Sequence, residues 1–535
     1  MLHNNKICIA PKEIISALFS LYNQGQFDDI LSRSELLIKE YPNTPNIHNI
    51  LGAISFKRGD TEAALKYFRR EIEINPCHSY AYNNLGAVLI NLKKNKEAQT
   101  IIQESIKLQP NYAEAYNNLG NCFKEQKKYG QAIKNYKKAL ELKPNYYEAY
   151  ENLGIVLGKN NKNNQAEKVL KILIKKNPEY ANAYKCLGVT LINLKKFEEA
   201  KKVIKKFIQI KPESDEGYNI LGIVLTNSKK FEEAKKVLNH ALKINPNNAD
   251  VYFNLGNLYS SKKLSKIAIE YFEKALHFDP GNAETYYLLG INFTNIGYLK
   301  KGAENFKRCL KINSNHKTAL HLYNSLSGYN SKRPSDEYIV GLFDFYAENF
   351  EKSLIDNLDY SVPKEIKHLL SKKSLGSILD LGCGTGLVGL ELKNSFSYLE
   401  GVDLSKAMIE EAKKKKVYNK LVQSEITQYL KNQTLNFDYF IAADVFVYVG
   451  DLFEVFRLIK DRNTKSGNLI FSIEENLNNN YHLEKTGRYS HSKNYIRYLC
   501  KKLHFSVVIE KEINIRKGDN KYINGLLYNL KFKYS

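Results

Sequence analysis

No stretch of about 20 apolar residues occurs in the 535-residue sequence, so no membrane-spanning helix is expected. The N-terminus through Pro11 carries one basic residue and a short apolar patch, which makes a poor signal peptide. Seven cysteines at 8, 77, 122, 186, 309, 383 and 500 never form C-x-x-C, which argues against a zinc site or disulfide framework and fits a reducing cytoplasm. Acid is in short supply as well, leaving a formal net charge of +23. Residues 331–535 hold 31 Lys+Arg against 26 Asp+Glu, a net of +5, so residues 1–330 carry +18. A basic face attracts nucleic acid, anionic membrane or acidic protein. Here, however, the lysines recur as pairs within helices and the whole chain favours Lys, Asn, Ile and Tyr, so composition argues against nucleic acid as the partner.

Proline is scarce too, at 12 residues, yet eight fall at 42, 76, 110, 144, 178, 212, 246 and 280, each 34 after the last. Leu-Gly pairs keep the same period from 51–52 to 289–290. Tyrosine stands four residues before each glycine from Tyr82 to Tyr286, and alanines recur from Ala64 to Ala268. This is the tetratricopeptide signature of a 34-residue helix-turn-helix unit. Gly and Ala are small where the two helices cross, Leu and Tyr fill the seam, and Pro stops the second helix. Degenerate first and last units, about 11–44 and 283–316, read as caps, giving about nine units over 11–326.

Position six of several units is asparagine: Asn84, Asn118, Asn152 and Asn254. The pattern resembles the asparagine ladder of O-linked N-acetylglucosamine transferases, which implies that these amides line a concave groove and hold an extended peptide by its main chain. Repeat consensus in an Asn-rich protein accounts for them equally well.

The stretch around which the C-terminal half is organised is I-L-D-L-G-C-G-T-G, Ile378 to Gly386. An apolar strand, a turn with glycines at 382, 384 and 386, and a resumed apolar helix make a nucleotide-type binding turn. The dinucleotide fingerprint puts its third glycine one residue later. D-x-G-x-G-x-G instead resembles the first motif of class I S-adenosylmethionine-dependent methyltransferases. That resemblance implies a Rossmann-like α/β domain over 338–535, with Asp380, Gly382, Gly384 and Gly386 at the methionine and ribose parts of S-adenosylmethionine.

Strands are expected at Tyr398 to Val402, Leu421 to Ile426, Phe437 to Ala443 and Asn468 to Ile473, with a closing hairpin near 505–509 and 526–530. Beyond the glycine turn, Asp403 ends the second strand, where an acid accepts ribose hydroxyls. The resemblance extends to G-V-D-L-S-K-A-M, which puts Met408 beside the adenine, and to Glu425 at its amino group. A Y-A-x-x-F helix similarly implies that Tyr346 covers the cofactor. Neither an N/D-P-P-Y turn nor the cysteine nucleophile of cytosine-C5 enzymes follows the fourth strand, so nucleobase methylation is disfavoured. Tyr448 in D-V-F-V-Y, and His491 in the polar loop G-R-Y-S-H-S, are acceptor-side catalytic candidates. Ser327 to Pro334, rich in Gly, Ser, Asn and Pro, reads as part of a linker over 327–337.

With Y-A-x-x-F, A-A-D-V-x-V-Y and G-R-Y-x-H-S, the chain resembles bacterial predicted methyltransferases fused to tetratricopeptide repeats. The expectation is a cytoplasmic, metal-free methyltransferase whose all-α superhelix binds a protein or peptide. Two alternatives stay open: a scaffold with a silent methyltransferase-like domain, and a small-molecule methyltransferase whose repeats serve assembly only.

Overall fold

The computed structural model describes residues 9–347, 350–351, 354, 358–370, 375–518 and 521–533, apart from the side chains at 35, 345 and 346. By its internal contacts the chain divides into one unit through Leu258 and a second from Tyr259. Eighteen helices alternate from Lys12 to Ile312, and another, Lys317–Ser327, follows. No helix among the described residues is long and apolar enough to cross a membrane.

One repeat shows how the period is built. Its helices Ala113–Glu125 and Tyr129–Leu142 cross where Gly120 meets the Tyr136 ring; a Cβ at Gly120 would lie 2.6 Å from Cε1. Tyr136 is fully buried and donates its hydroxyl to Asn121 Oδ1 at 2.7 Å. Lys143 leaves the helical region, as a residue before proline prefers, and Pro144 cannot continue the second helix. The turn between the helices is equally periodic. Gly25, Gly59, Lys93, Lys127, Asn161, Lys195, Lys229, Lys263 and Gly297 all have positive φ, each one repeat after the last. Lys127 N–H bonds to Lys124 O and Lys128 N–H to Phe123 O, at 3.0 and 2.9 Å, closing the helix end by a left-handed cap. In lysine this geometry is strained, and the cap bonds offset the strain.

The C-terminal sheet contains β1 (Leu375–Leu381), β2 (Phe396–Asp403), β3 (Lys420–Gln423), β4 (Tyr439–Ala442), β5 (Gly467–Glu475), β6 (Tyr481–Leu483), β7 (Tyr489–His491), β8 (Phe505–Gly518) and β9 (Lys521–Phe532). The order β3-β2-β1-β4-β5 is parallel throughout. β9 runs antiparallel to β5 and β8 to β9. Near its carboxyl end β5 also takes up β7, which pairs with β6. Alternation along the strands splits the core: Leu379, Leu381, Phe440 and Phe471 face one layer, Ile378, Tyr439, Ile441 and Ile470 the other. The chain reverses direction of winding at β1, between β2 and β4, which opens a crevice at the carboxyl ends of these strands.

Two sequence expectations are corrected here. The segment at 487–492 expected as a polar loop contains strand β7, with Tyr489, Ser490 and His491 all buried. The closing hairpin is far longer than its apolar centres suggested, because β8 and β9 continue as polar ribbon to Gly518 and Lys521.

Gly120→Ala forces the Tyr136 ring aside and is expected to cost about 1–3 kcal/mol, the usual penalty for overpacking a filled core. Urea unfolding of the full chain checks this, and an unchanged midpoint contradicts the helix crossing described.

Candidate active site

The crevice is a cavity of about 390 Å³. Its wall includes Gly382, Cys383, Gly384, Thr385, Asp403 and Glu425, and also Phe343, Tyr360, Asp444, Tyr448 and Arg488.

The glycine turn is fixed from below by Asp403, whose two carboxylate oxygens accept Gly384 N–H and Ser405 N–H, each at 2.8 Å. Burial raises the Asp403 carboxyl above its ordinary range, although those backbone bonds pull it back. Gly384, at φ 54°, has nothing within 4 Å of where a Cβ would stand, so the main chain is open to a ligand. Gly382 differs, since a Cβ there would strike Val445 at 2.7 Å. Asp380 is 1 % exposed and accepts the Tyr418 hydroxyl at 2.7 Å, while its Oδ1 has no partner among the described residues. Burial pushes this carboxyl up to about 7, Tyr418 opposing and Asp403 adding to the rise.

Glu425 lines the cavity and also caps helix Ile426–Asn432 by accepting Gln428 N–H at 2.8 Å. Arg333 pairs with its other oxygen at 3.0 Å. Burial works against its charge, but the bonds from Thr427 and Gln428 and the nearby Arg333 hold the carboxyl below its ordinary value.

Tyr448 sits in the turn Phe446–Tyr448 just past β4. Its hydroxyl accepts Arg488 Nη1 at 2.9 Å, its ring lies 5.0 Å from the guanidinium carbon, and Phe343 packs edge-on at 5.1 Å. Burial raises the phenol's pKa, so it stays protonated. Behind it, Asp444, Glu474, Arg488 and Arg516 form a four-charge network. Arg488 and Arg516 both reach Asp444 at 3.0–3.1 Å and both pair with Glu474.

Other candidates stand elsewhere. His491 is fully buried, and its Nε2 donates to Gly450 O at 2.9 Å. Burial lowers its pKa to about 4, and it is not on the cavity wall, which corrects its reading as an exposed loop base. Met408 is 1 % exposed in the core, while Leu404 is the apolar residue of that segment on the wall. Tyr346 ends helix Asp336–Tyr346, and its side chain lies outside the described residues. Sequence reasoning missed Arg333, Tyr360, Arg488 and Arg516; only Asp444, the acid closing A-A-D at a strand exit, carried a signal. Among the described residues no His, Cys, Asp and Glu group could hold a metal.

Asn84, Asn118, Asn152 and Asn254 are half-buried and act between repeats. Each donates its amide to an asparagine 35 residues earlier, Asn49, Asn83, Asn117 and Asn219, at 2.8–3.2 Å.

Residues 372–516 match a family model described as a methyltransferase domain. Tetratricopeptide models match 113–146 and 249–282, 67–100 and 135–168, and 182–214 and 283–316, and a TPR repeat model matches 224–263. No curated protein matches. Among solved structures, a chain of the APC/C hetero-tetramer Cut9-Hcn1 is 17 % identical over 52 % of this chain and 55 % of its own, at TM-score 0.41. Pseudomonas aeruginosa pilF is 21 % identical over 38 % of this chain and 93 % of its own, at 0.35. MamA is 22 % identical over 30 % and 95 %, at 0.28. The chain thus spans about half the length of the first of these.

Asp380 tests the geometry beneath the glycine turn. Its folded pKa, about 7, lies above the ordinary 3.8, so the folded state binds the extra proton and stability falls as pH rises from about 4 to 7. Asp380→Asn removes that loss. The variant is expected to gain thermal stability over the native chain at pH 8 and little at pH 4, read by melting at both; an equal shift at both sinks the assignment.

Proposed function

We propose that this chain, a tetratricopeptide array fused to a methyltransferase domain, transfers a methyl group from S-adenosylmethionine to an acceptor bound at the Tyr448 end of the cavity, with the repeats holding a protein or peptide that carries or presents it. The observation that carries the reading is the open main chain at Gly384 braced by Asp403. A cofactor fits these residues on two grounds at the cavity wall, the space a Cβ would fill at Gly384 and the acid at the end of β2; behind the wall, Asp380 keeps a buried Oδ1 without a partner among the described residues.

When bound, S-adenosylmethionine supplies an already activated methyl group. The residues then have to position rather than activate. Asp403 presents its carboxylate at the ribose end while holding the glycine turn. Asp380 offers one acceptor oxygen beneath that turn, and Glu425 offers a carboxylate at the adenine end. Thr385, Leu387 and Val388 exclude water along the floor. At the other end Tyr448, kept neutral, accepts from Arg488 and retains its own proton for donation to an acceptor oxygen or nitrogen. Phe343 and Tyr360 supply apolar wall. The four-charge network has every carboxylate faced by a guanidinium, so no unpaired acid stands ready as a strong base. This arrangement suits an acceptor that needs orientation more than deprotonation.

Asp403→Ala is expected to weaken S-adenosylhomocysteine at least about tenfold, since it removes a charged acceptor and loosens the turn. Calorimetry on the full chain beside the variant measures it. Absence of binding to the native chain would overturn the enzyme reading and leave a repeat scaffold.

A further inference from the structure

Part of the cavity wall comes from residues outside the stretch that matches the methyltransferase domain. Lys332, Arg333, Pro334, Asp336, Ile339 and Phe343 line it, and all precede residue 372. They follow directly on the last array helix, Lys317–Ser327, which belongs to the same unit of the chain.

This segment is bonded along its length to the acceptor end. Asn330 Nδ2 donates to Tyr481 O at 2.7 Å, and its Oδ1 accepts Leu483 N–H at 2.8 Å, so one side chain reads both main-chain groups of β6. Ser331 and the Tyr489 hydroxyl share a bond at 2.7 Å. The carbonyl of Lys332 accepts both Gly450 N–H and Asp451 N–H, at 2.9 and 3.0 Å, just after Tyr448. From the array helix itself, His321, 4 % exposed, donates Nε2–H to Gly487 O at 2.8 Å.

Two glycines show how close the fit is. A Cβ on Gly450 would lie 2.8 Å from Lys332 O, and one on Gly487, at φ 78°, would lie 3.0 Å from the Tyr338 hydroxyl with Leu322 and His321 just beyond. Arg488 follows immediately, and its guanidinium holds Tyr448, Asp444 and Glu474.

We propose that His321 and Asn330 are positioning residues of the methyl-acceptor end: by clamping the Gly487 turn and β6 to the last array helix and its following segment, they fix the guanidinium of Arg488 over Asp444 and Tyr448. The acceptor end is complete only with the helix Lys317–Ser327 and the segment that follows it in place. This rests on the S-adenosylmethionine reading above. Neither residue bonds to the cofactor side, where Asp403 is held by Gly384 and Ser405 and Asp380 by Tyr418.

The test compares two ligands on the full chain, native and His321→Ala/Asn330→Ala. S-adenosylhomocysteine fills the cofactor side only. Sinefungin adds an amine where the methyl group would stand, and its ammonium senses the charges facing the acceptor end. Loosening Arg488 lets its positive charge move away from that end, so the double variant is expected to bind sinefungin at least about fivefold more tightly relative to S-adenosylhomocysteine, whose own affinity changes less than about threefold. A folded variant with an unchanged ratio of the two constants overturns the proposal, because a merely structural role shifts both alike. Should the double variant fail to fold, Asn330→Ala alone decides on the same ratio. If the native chain binds neither ligand, the cofactor reading itself fails and takes the proposal with it.

Discussion

The C-terminal site depends on the neutrality of four charges, two of them buried and two half-buried on the cavity wall. Asp444 leaves β4, Glu474 ends β5, Arg488 precedes β7 and Arg516 comes from β8, so the network joins four separate parts of the sheet at one point. With Arg516 5 % exposed and each arginine paired with both acids, removal of either acid leaves one positive charge in excess at a site partly shielded from water, and breaking a buried pair costs about 3–5 kcal/mol. The long polar reach of β8 follows from this. An apolar strand could have stopped near Ile509, but the hairpin must extend to residue 516 to deliver its guanidinium. Tyr448 then takes its place from Arg488, and the wall of the cavity forms around them.

What was legible in the sequence was local. The glycine turn and Asp403 could be read because a strand, a turn and an acid at the end of the next strand form a short pattern in which each residue type has its own reason. The repeats were legible because one geometry recurs, although the lysines with positive φ at the helix turns were not: nothing in lysine announces the left-handed cap that glycine or asparagine would. The charge network was illegible for the opposite reason, since Asp444 and Arg516 stand 72 residues apart and only the sheet brings them together. His491 looked exposed because Gly487, Arg488 and two serines stand around it. In the structure that polarity is turned inward, with Ser490 bonded to Asn476 and Glu484, and His491 bonded to Gly450.

The same inversion explains the segment after the array. Gly, Ser and Asn around 327–334 resemble a linker because such residues make poor helices, yet here the amide of Asn330 and the hydroxyl of Ser331 are the bonding groups themselves. Composition distinguishes poorly between a chain that is polar because water solvates it and one that is polar because another main chain does.

The asparagine series makes that distinction concrete in the array. An amide side chain can in principle read both an N–H and a C=O. Here Asn84, Asn118, Asn152 and Asn254 each direct an N–H to an asparagine of the preceding repeat. Asn84, Asn118 and Asn152 follow one another at the repeat period, so the same bond recurs from unit to unit and stiffens the stack along its length. Part of what the residue type offers to a ligand is thus spent on the array's own packing.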